Sequence, residues 1–271
     1  MKRYAAHLLV LLFAAVAPAA AREGAESSSV LDAKAALGAS QAAIGRHLGP
    51  HRLVDSQGRP ANLDDFRGRP LVLNLVYTSC YHSCNVSTRY LAEIVDVARE
   101  ALGEDAFSVA TIGFDSVNDT PARMAEYAAR QGIAEPRWSF LSADKPVIDA
   151  LVEELGFTYA ASPKGFDHLA QVTLVGADGT IYRQIYGDRF EPPALVEPLK
   201  ELVWGLDASP STVERWVDNV RLFCTIYDPS TGRYRFDYSI FVGIIVGGLC
   251  LGAIAWFIVR AWRESSSPLA H

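Results

Sequence analysis

Apolar positions follow three rhythms along this chain. Residues 71–77, Leu-Val-Leu-Asn-Leu-Val-Tyr, and 107–113, Phe-Ser-Val-Ala-Thr-Ile-Gly, are short, almost unbroken apolar runs and read as buried strands. Residues 89–99 between them carry helical periodicity, Thr120-Pro121 opens a helix to about Gln131 with proline in its first turn, and another helix is expected over 146–155. Strand-like stretches at 171–175 and 180–186 flank Gly176-Ala-Asp-Gly179 and predict a hairpin, and residues 192–204 supply a closing helix. Upstream, 51–60 reads as a strand entering a turn at Gln57-Gly58, with a turn or short helix over 62–68. The third rhythm is a long one: residues 238–259 contain no charge and suffice to cross about 30 Å of hydrocarbon.

Strand, helix, strand, helix, hairpin, helix is the order of an α/β thioredoxin-like domain, a mixed sheet with helices on both faces, here followed by one C-terminal transmembrane helix. The expected organisation is a signal peptide over 1–21, a flexible leader over 22–45 and the thioredoxin-like domain over 46–204. A juxtamembrane connector over 205–237, the transmembrane helix over 238–259 and a cytoplasmic tail over 260–271 complete it. Lys2 and Arg3, an Ala/Leu/Val stretch and Ala19-Ala20-Ala21 form the export pattern. The leader is rich in Ala, Ser and Glu and poor in large apolar residues. Arg233 and Arg235 precede the spanning segment while Arg260 and Arg263 follow it, so positive charge does not orient it. The export signal does, placing the domain in the periplasm and the protein in the inner membrane. Gly243/Gly247 and Gly248/Gly252 offer small faces to another helix.

A formal net charge of -6 with no basic cluster excludes nucleic acid as a partner. The four cysteines do not resolve into two disulfides: Cys250 lies in the spanning segment and Cys224 in the connector, leaving Cys80 and Cys84 as the local pair. A staple closing so short a loop would constrain the unfolded chain little, so the pair points to chemistry. It sits at a strand-to-helix junction, where the helix N-terminus favours thiolate. Positions four apart on a helix differ by roughly 40°, whereas His82 lies roughly 200° from Cys80, so the sulfurs pair and the intervening histidine is excluded. His47, His51 and His82 read as structural or solvent-facing, and capping of the helix at Thr120-Pro121 accounts for Asp119.

Asn74-Leu-Val-Tyr-Thr-Ser-Cys80-Tyr-His-Ser-Cys84, Phe114-Asp115-Ser-Val-Asn-Asp119-Thr-Pro121, and Phe166-Asp167-His168 leading into Gln171-Val-Thr-Leu-Val together resemble the SCO/SenC family of copper-binding cytochrome oxidase assembly proteins. The resemblance covers roughly residues 47–204. It implies copper, as Cu(I) or Cu(II), held by Cys80, Cys84 and His168, with Asp167 a candidate for orienting the histidine. Tyr81 and Asn85 stand where many members carry proline after each cysteine, which leaves room for a divergent subgroup with a different client. Soft thiolates select Cu(I), and an added imidazole suits Cu(II) and also admits zinc.

The resemblance further implies a metallochaperone rather than an enzyme, with the copper-bearing subunit of a respiratory oxidase and a periplasmic thiol reductant as partners. The alternative is a thiol-disulfide oxidoreductase in which Cys80 and Cys84 are the redox pair. Against it, Val172 stands where such reductases place a proline near the cysteines. A sensing module ranks third.

Overall fold

The computed structural model describes residues 31–80, 83–204, 225–228, 231, 233–236 and 238–265. The expected signal peptide, His82, Cys224, and most of the connector and tail lie outside the described residues.

The domain is built on a seven-stranded sheet. In chain order its strands are β1 (Arg52–Asp55), β2 (Pro60–Asn62), β3 (Leu71–Val76), β4 (Ser108–Gly113) and β5 (Trp138–Ser142), then, after the short β6 (Tyr159–Ser162) and β7 (Gly165–His168), β8 (Gln171–Val175) and β9 (Ile181–Tyr186). The spatial order is β2-β1-β5-β4-β3-β8-β9; β3, β4 and β5 run parallel and β8 returns antiparallel beside β3. Helices α2 (Ser83–Leu102), α3 (Pro121–Gln131), α4 (Lys145–Glu154) and α5 (Pro193–Trp204) cover the two faces. This arrangement explains the unbroken apolar runs, because β3 faces a core on each side. Leu71, Leu73 and Leu75 pack with Ile148 and Leu151 of α4, while Val72 and Val76 pack with Leu91 and Ile94 of α2, Met124 of α3 and Leu195 of α5. Each such side chain contributes about 1.5–3 kcal/mol of hydrophobic stabilisation. The mixed sheet with helices on both faces is the thioredoxin-like architecture expected.

Several elements differ from expectation. The expected leader contains α1 (Ala33–Ala42), capped by Asp32, whose carboxylate accepts from the Lys34 and Ala35 amides. It docks through small residues: Ala36 and Ala43 are buried, and the Ser40 hydroxyl donates to Gln171 Oε1 at 2.7 Å and meets the Tyr186 hydroxyl at 2.9 Å. A surface built from alanine and serine does not announce itself as a core face. The connector holds a hairpin of β10 (Thr225–Asp228) and β11 (Arg233–Phe236) that rests on α2 and α5. Tyr234 donates to Glu197 at 2.9 Å, beneath the Lys200 ammonium, and Arg233 lies 3.4 Å from Glu100. Helix α6 (Ser239–Ser265) extends beyond the expected span, and its stretch Phe241–Trp262 is exposed and apolar enough to cross a membrane.

Candidate metal centre

The strand β3 ends at Val76, and the chain then makes a tight turn into α2. The Cys80 amide donates to the Tyr77 carbonyl at 3.1 Å, and the Cys84 amide donates to the Cys80 sulfur at 3.4 Å. That sulfur takes the place of the side-chain oxygen that caps most helices, so it faces the amides and positive dipole end of α2. Both sulfur-bearing residues are buried, Cys80 at 6% exposure and Cys84 at 3%, and among the described residues no disulfide is present.

Two polar networks clamp this turn. On one side, Asp119 Oδ1 accepts from both the Thr78 amide and the Thr78 hydroxyl at 2.7 Å, while Oδ2 accepts from the Asp115 amide at 2.9 Å. The expected capping role falls instead to Thr120, whose hydroxyl accepts from the Arg123 amide. Asp119 turns inward and is only 1% exposed; burial raises its carboxyl pKa, opposed by these donors. Gly113 permits the approach, since a Cβ there would lie 2.4 Å from Asp119 Cβ. On the other side, the Tyr127 hydroxyl donates to the Cys84 carbonyl at 2.9 Å and meets the Thr88 hydroxyl at 2.8 Å, which in turn receives the Asn74 amide at 3.3 Å. Asn85 donates to the Cys80 carbonyl at 3.3 Å and is itself held by Gln131.

His168 arrives on a different support. The strands β6 and β7 form a separate two-stranded antiparallel hairpin in which His168 pairs with Tyr159. The imidazole packs among Tyr77, Phe114 and Phe157, with ring centroids 6.0, 5.5 and 5.3 Å away. Its Nδ1 lies 2.9 Å from the Leu169 carbonyl. A carbonyl only accepts, so Nδ1 carries the proton and Nε2 presents its lone pair. Burial lowers the His168 pKa and keeps the ring neutral, the ligating form. The orienting acceptor is therefore the Leu169 carbonyl rather than Asp167, which is exposed on the strand, where successive side chains alternate faces.

Cys84 and His168 line one cleft of about 420 Å³, together with Asn74, Ser87, Gln171 and Asp188. Among the described residues no three Cys, His, Asp or Glu side chains converge closely enough to hold an ion. Cys84 and the imidazole thus share a cleft without the three donors converging, and Tyr77 packs edge-on against the His168 ring. The donor set itself fits a soft metal: two thiols at a helix N-terminus and a neutral imidazole with Nε2 available. His51 behaves as the structural histidine expected, its Nε2 2.8 Å from Glu154, and His47 is exposed. Tyr77, Tyr127 and the inward role of Asp119 escaped the reading of the residues. For Asp119 a usable signal was its place one residue before a Thr-Pro helix start, where Thr120 could already serve as the cap.

Comparison with known proteins places the fold and the family. No curated protein sequence matches the chain. Among solved structures, a protein of Aquifex aeolicus VF5 described as an electron transfer protein is similar at 25% identity and a TM-score of 0.55, covering 62% of this chain and 99% of its own. BsSco, a member of the Sco family of cytochrome c oxidase assembly proteins solved in connection with a disulfide switch, matches at 18% identity, TM-score 0.52, 60% of this chain and 96% of its own. Yeast Sco1 with copper bound matches at 17% identity, TM-score 0.51, 62% of this chain and 96% of its own. The two Sco structures share the fold. The SCO1/SenC family model matches residues 39–204, more than half of the sequence, and the chain belongs to the SCO1/SenC family.

Proposed function

We propose that this chain is a membrane-anchored copper chaperone that assists assembly of the dinuclear copper centre of cytochrome c oxidase, with Cys80, Cys84 and His168 as the copper ligands. The observation that carries this reading is the shared cleft: in a chain of the SCO1/SenC family, Cys84 and His168 open onto one space, with Cys80 in the turn that leads into α2. Family membership and the copper held by the similar yeast protein support copper as the cargo.

The chain's own residues account for carrying and release. The clamped turn presents both sulfurs together, the Leu169 carbonyl fixes the tautomer that leaves His168 Nε2 able to bind, and the imidazole comes from a separately supported hairpin. Three ligands leave an open coordination position. An incoming ligand from an acceptor can enter there and displace one donor at a time, which a closed four-ligand site would resist. Helix α6 anchors the domain to the inner membrane, and export places it in the periplasm beside the oxidase subunit, raising the effective concentration of donor and acceptor. In that oxidising compartment the thiols drift toward a disulfide, so a thiol reductant is a required partner.

The test is metal retention by the reduced, purified protein. Cys80→Ser and Cys84→Ser should each lose copper on desalting while the parent keeps it; stoichiometric retention by either variant contradicts the proposal. A second reading, thiol-disulfide oxidoreductase, is favoured by one observation: the Cys84 amide at the start of α2 donates to the Cys80 sulfur, while among the described residues the two cysteines and His168 do not form a three-donor group. His168→Ala separates the two readings, since disulfide exchange survives it and copper delivery does not.

A further inference from the structure

A second depression, of about 410 Å³, adjoins the donor cleft: Asn85, Val86, Arg89, Tyr90 and Glu93 of α2 line it together with Arg189. The two share a wall. Cys84 and Ser87 of α2 face the cleft while Asn85, Val86 and Arg89 face the groove, and Arg189 faces the groove between Asp188 and Phe190, which face the cleft. The Tyr90 ring on the groove side meets the Phe190 ring on the cleft side edge-on at 6.3 Å. The charge of the groove sets it apart in this chain. The formal net charge is -6, and most of the other described arginines are paired with carboxylates. Arg89 and Arg189 are both exposed, and among the described residues neither makes an ion pair or a side-chain hydrogen bond, although Glu93 stands one helical turn from Arg89. Val86, 39% exposed, adds apolar surface to the same groove.

We propose that this groove is the docking surface for an acidic segment of the protein that receives the copper. A partner that extends a ligand into the cleft covers the shared wall, and with it both arginines. Guanidinium groups covered in this way need carboxylates opposite them, since a charge taken out of water without a partner is costly. Val86 and Tyr90 supply the apolar contact and the arginines the polar surround, the usual layout of a protein interface. The mouth of the cleft carries the opposite sign, because Asp167 and Asp188 are exposed there. An acidic segment is drawn to the groove and repelled from the cleft, so the pattern sets one orientation and leaves the donors open to an incoming ligand. Continuity of the groove with the cleft favours the acceptor protein over an anionic lipid headgroup as the occupant. The inference deepens the proposed function and rests on its transfer step, yet association with the acceptor is measurable without copper.

The test is the association rate, by surface plasmon resonance, of the full-length, copper-free protein in phosphatidylcholine nanodiscs with the copper-free domain of the oxidase subunit that holds the dinuclear centre. The double variant Arg89→Glu/Arg189→Glu should associate about tenfold more slowly than the parent at about 0.01 M salt. The gap should close at about 1 M salt, as the screening length falls from about 30 Å to about 3 Å. Arg52→Glu reverses another exposed, unpaired arginine, on β1 and three strands away from β3, and should associate like the parent. No complex with the parent, or a double variant within about twofold of Arg52→Glu, overturns the proposal. So does an effect that appears only when phosphatidylglycerol is added to the nanodiscs, which assigns the arginines to lipid headgroups. The copper retention of Cys80→Ser and Cys84→Ser decides the chaperone reading separately, because docking is read without the metal.

Discussion

The cysteine turn and the His168 hairpin face the same cleft but are built by opposite means. The turn continues β3, the strand with partners on both sides at the centre of the sheet, and is tied by charged and neutral hydrogen bonds from Asp119, Tyr127 and Asn85. The hairpin belongs to a sheet of its own, and its imidazole is held by aromatic contacts and one bond to the next residue's carbonyl. Directional bonds fix an atom's position, whereas ring packing permits a slide of the surface it holds. The difference teaches a division of labour. In the proposed copper centre the sulfurs are pre-positioned and His168, the proposed third ligand, is the adjustable one, suited to closing on an arriving ion.

The comparison breaks most severely at Phe114, which is buried against Tyr77, Phe157, Tyr159, Phe166 and His168. Phe114→Ala should cost about 3–5 kcal/mol in urea unfolding. Amide exchange should rise across β6 and β7 before it rises in the cysteine turn. Equal acceleration in both regions would remove the distinction between them. Next comes Asp119→Ala, which strips the acceptor from two Thr78 donors and the Asp115 amide. A cost of about 2 kcal/mol is expected by the same measurement, with exchange now rising in the turn and not in the hairpin. Tyr127→Phe removes one bond to the Cys84 carbonyl, which retains the Ser87 hydroxyl at 3.2 Å; the expected loss is about 1 kcal/mol.

The smallest effect is a pH dependence that sharpens the contrast. Burial holds His168 below the ordinary histidine value of 6.5, so the unfolded chain takes up protons first. Its contribution to stability is complete above pH 6.5 and is lost as the pH falls from there toward the depressed folded value. Asp119 has the opposite sign: its raised folded value removes stability as the pH rises above the ordinary carboxylate value of 3.8. Comparing urea midpoints of the parent and His168→Ala between pH 7 and pH 5 isolates the histidine. The parent should lose stability relative to the variant on acidification, and parallel profiles would contradict the burial argument.

Much of this division was legible in the residues, and what was missed follows a physical rule. The strands β3 and β4 stand out because burial on both faces demands continuous apolar runs, and Cys80 and Cys84 stand out as a close pair at a strand-to-helix junction, although Cys80 lies in the turn before α2 and not on the helix. The hairpin was invisible: Tyr-Ala-Ala-Ser and Gly-Phe-Asp-His have no usable period, and aromatic packing against Phe114 and Tyr77 holds them as strands. Helix α1 hid for a related reason, since alanine and serine form its docking face. Asp119 was misplaced by one position: Thr120 and Asp119 are both good caps, and only the tertiary demand of the Thr78 amide and hydroxyl selects which one turns inward. His168 was located by resemblance, and its present separation from the sulfurs could not be read from order along the chain.

The central claim is that an adjustable imidazole joins two fixed sulfurs on one copper ion. Pulsed electron paramagnetic resonance of the Cu(II)-loaded, full-length protein tests it directly. The account predicts modulation from one imidazole nitrogen in the parent that disappears in His168→Ala while both cysteines still bind. A spectrum without that modulation in the parent, or one that His168→Ala leaves unchanged, would contradict it.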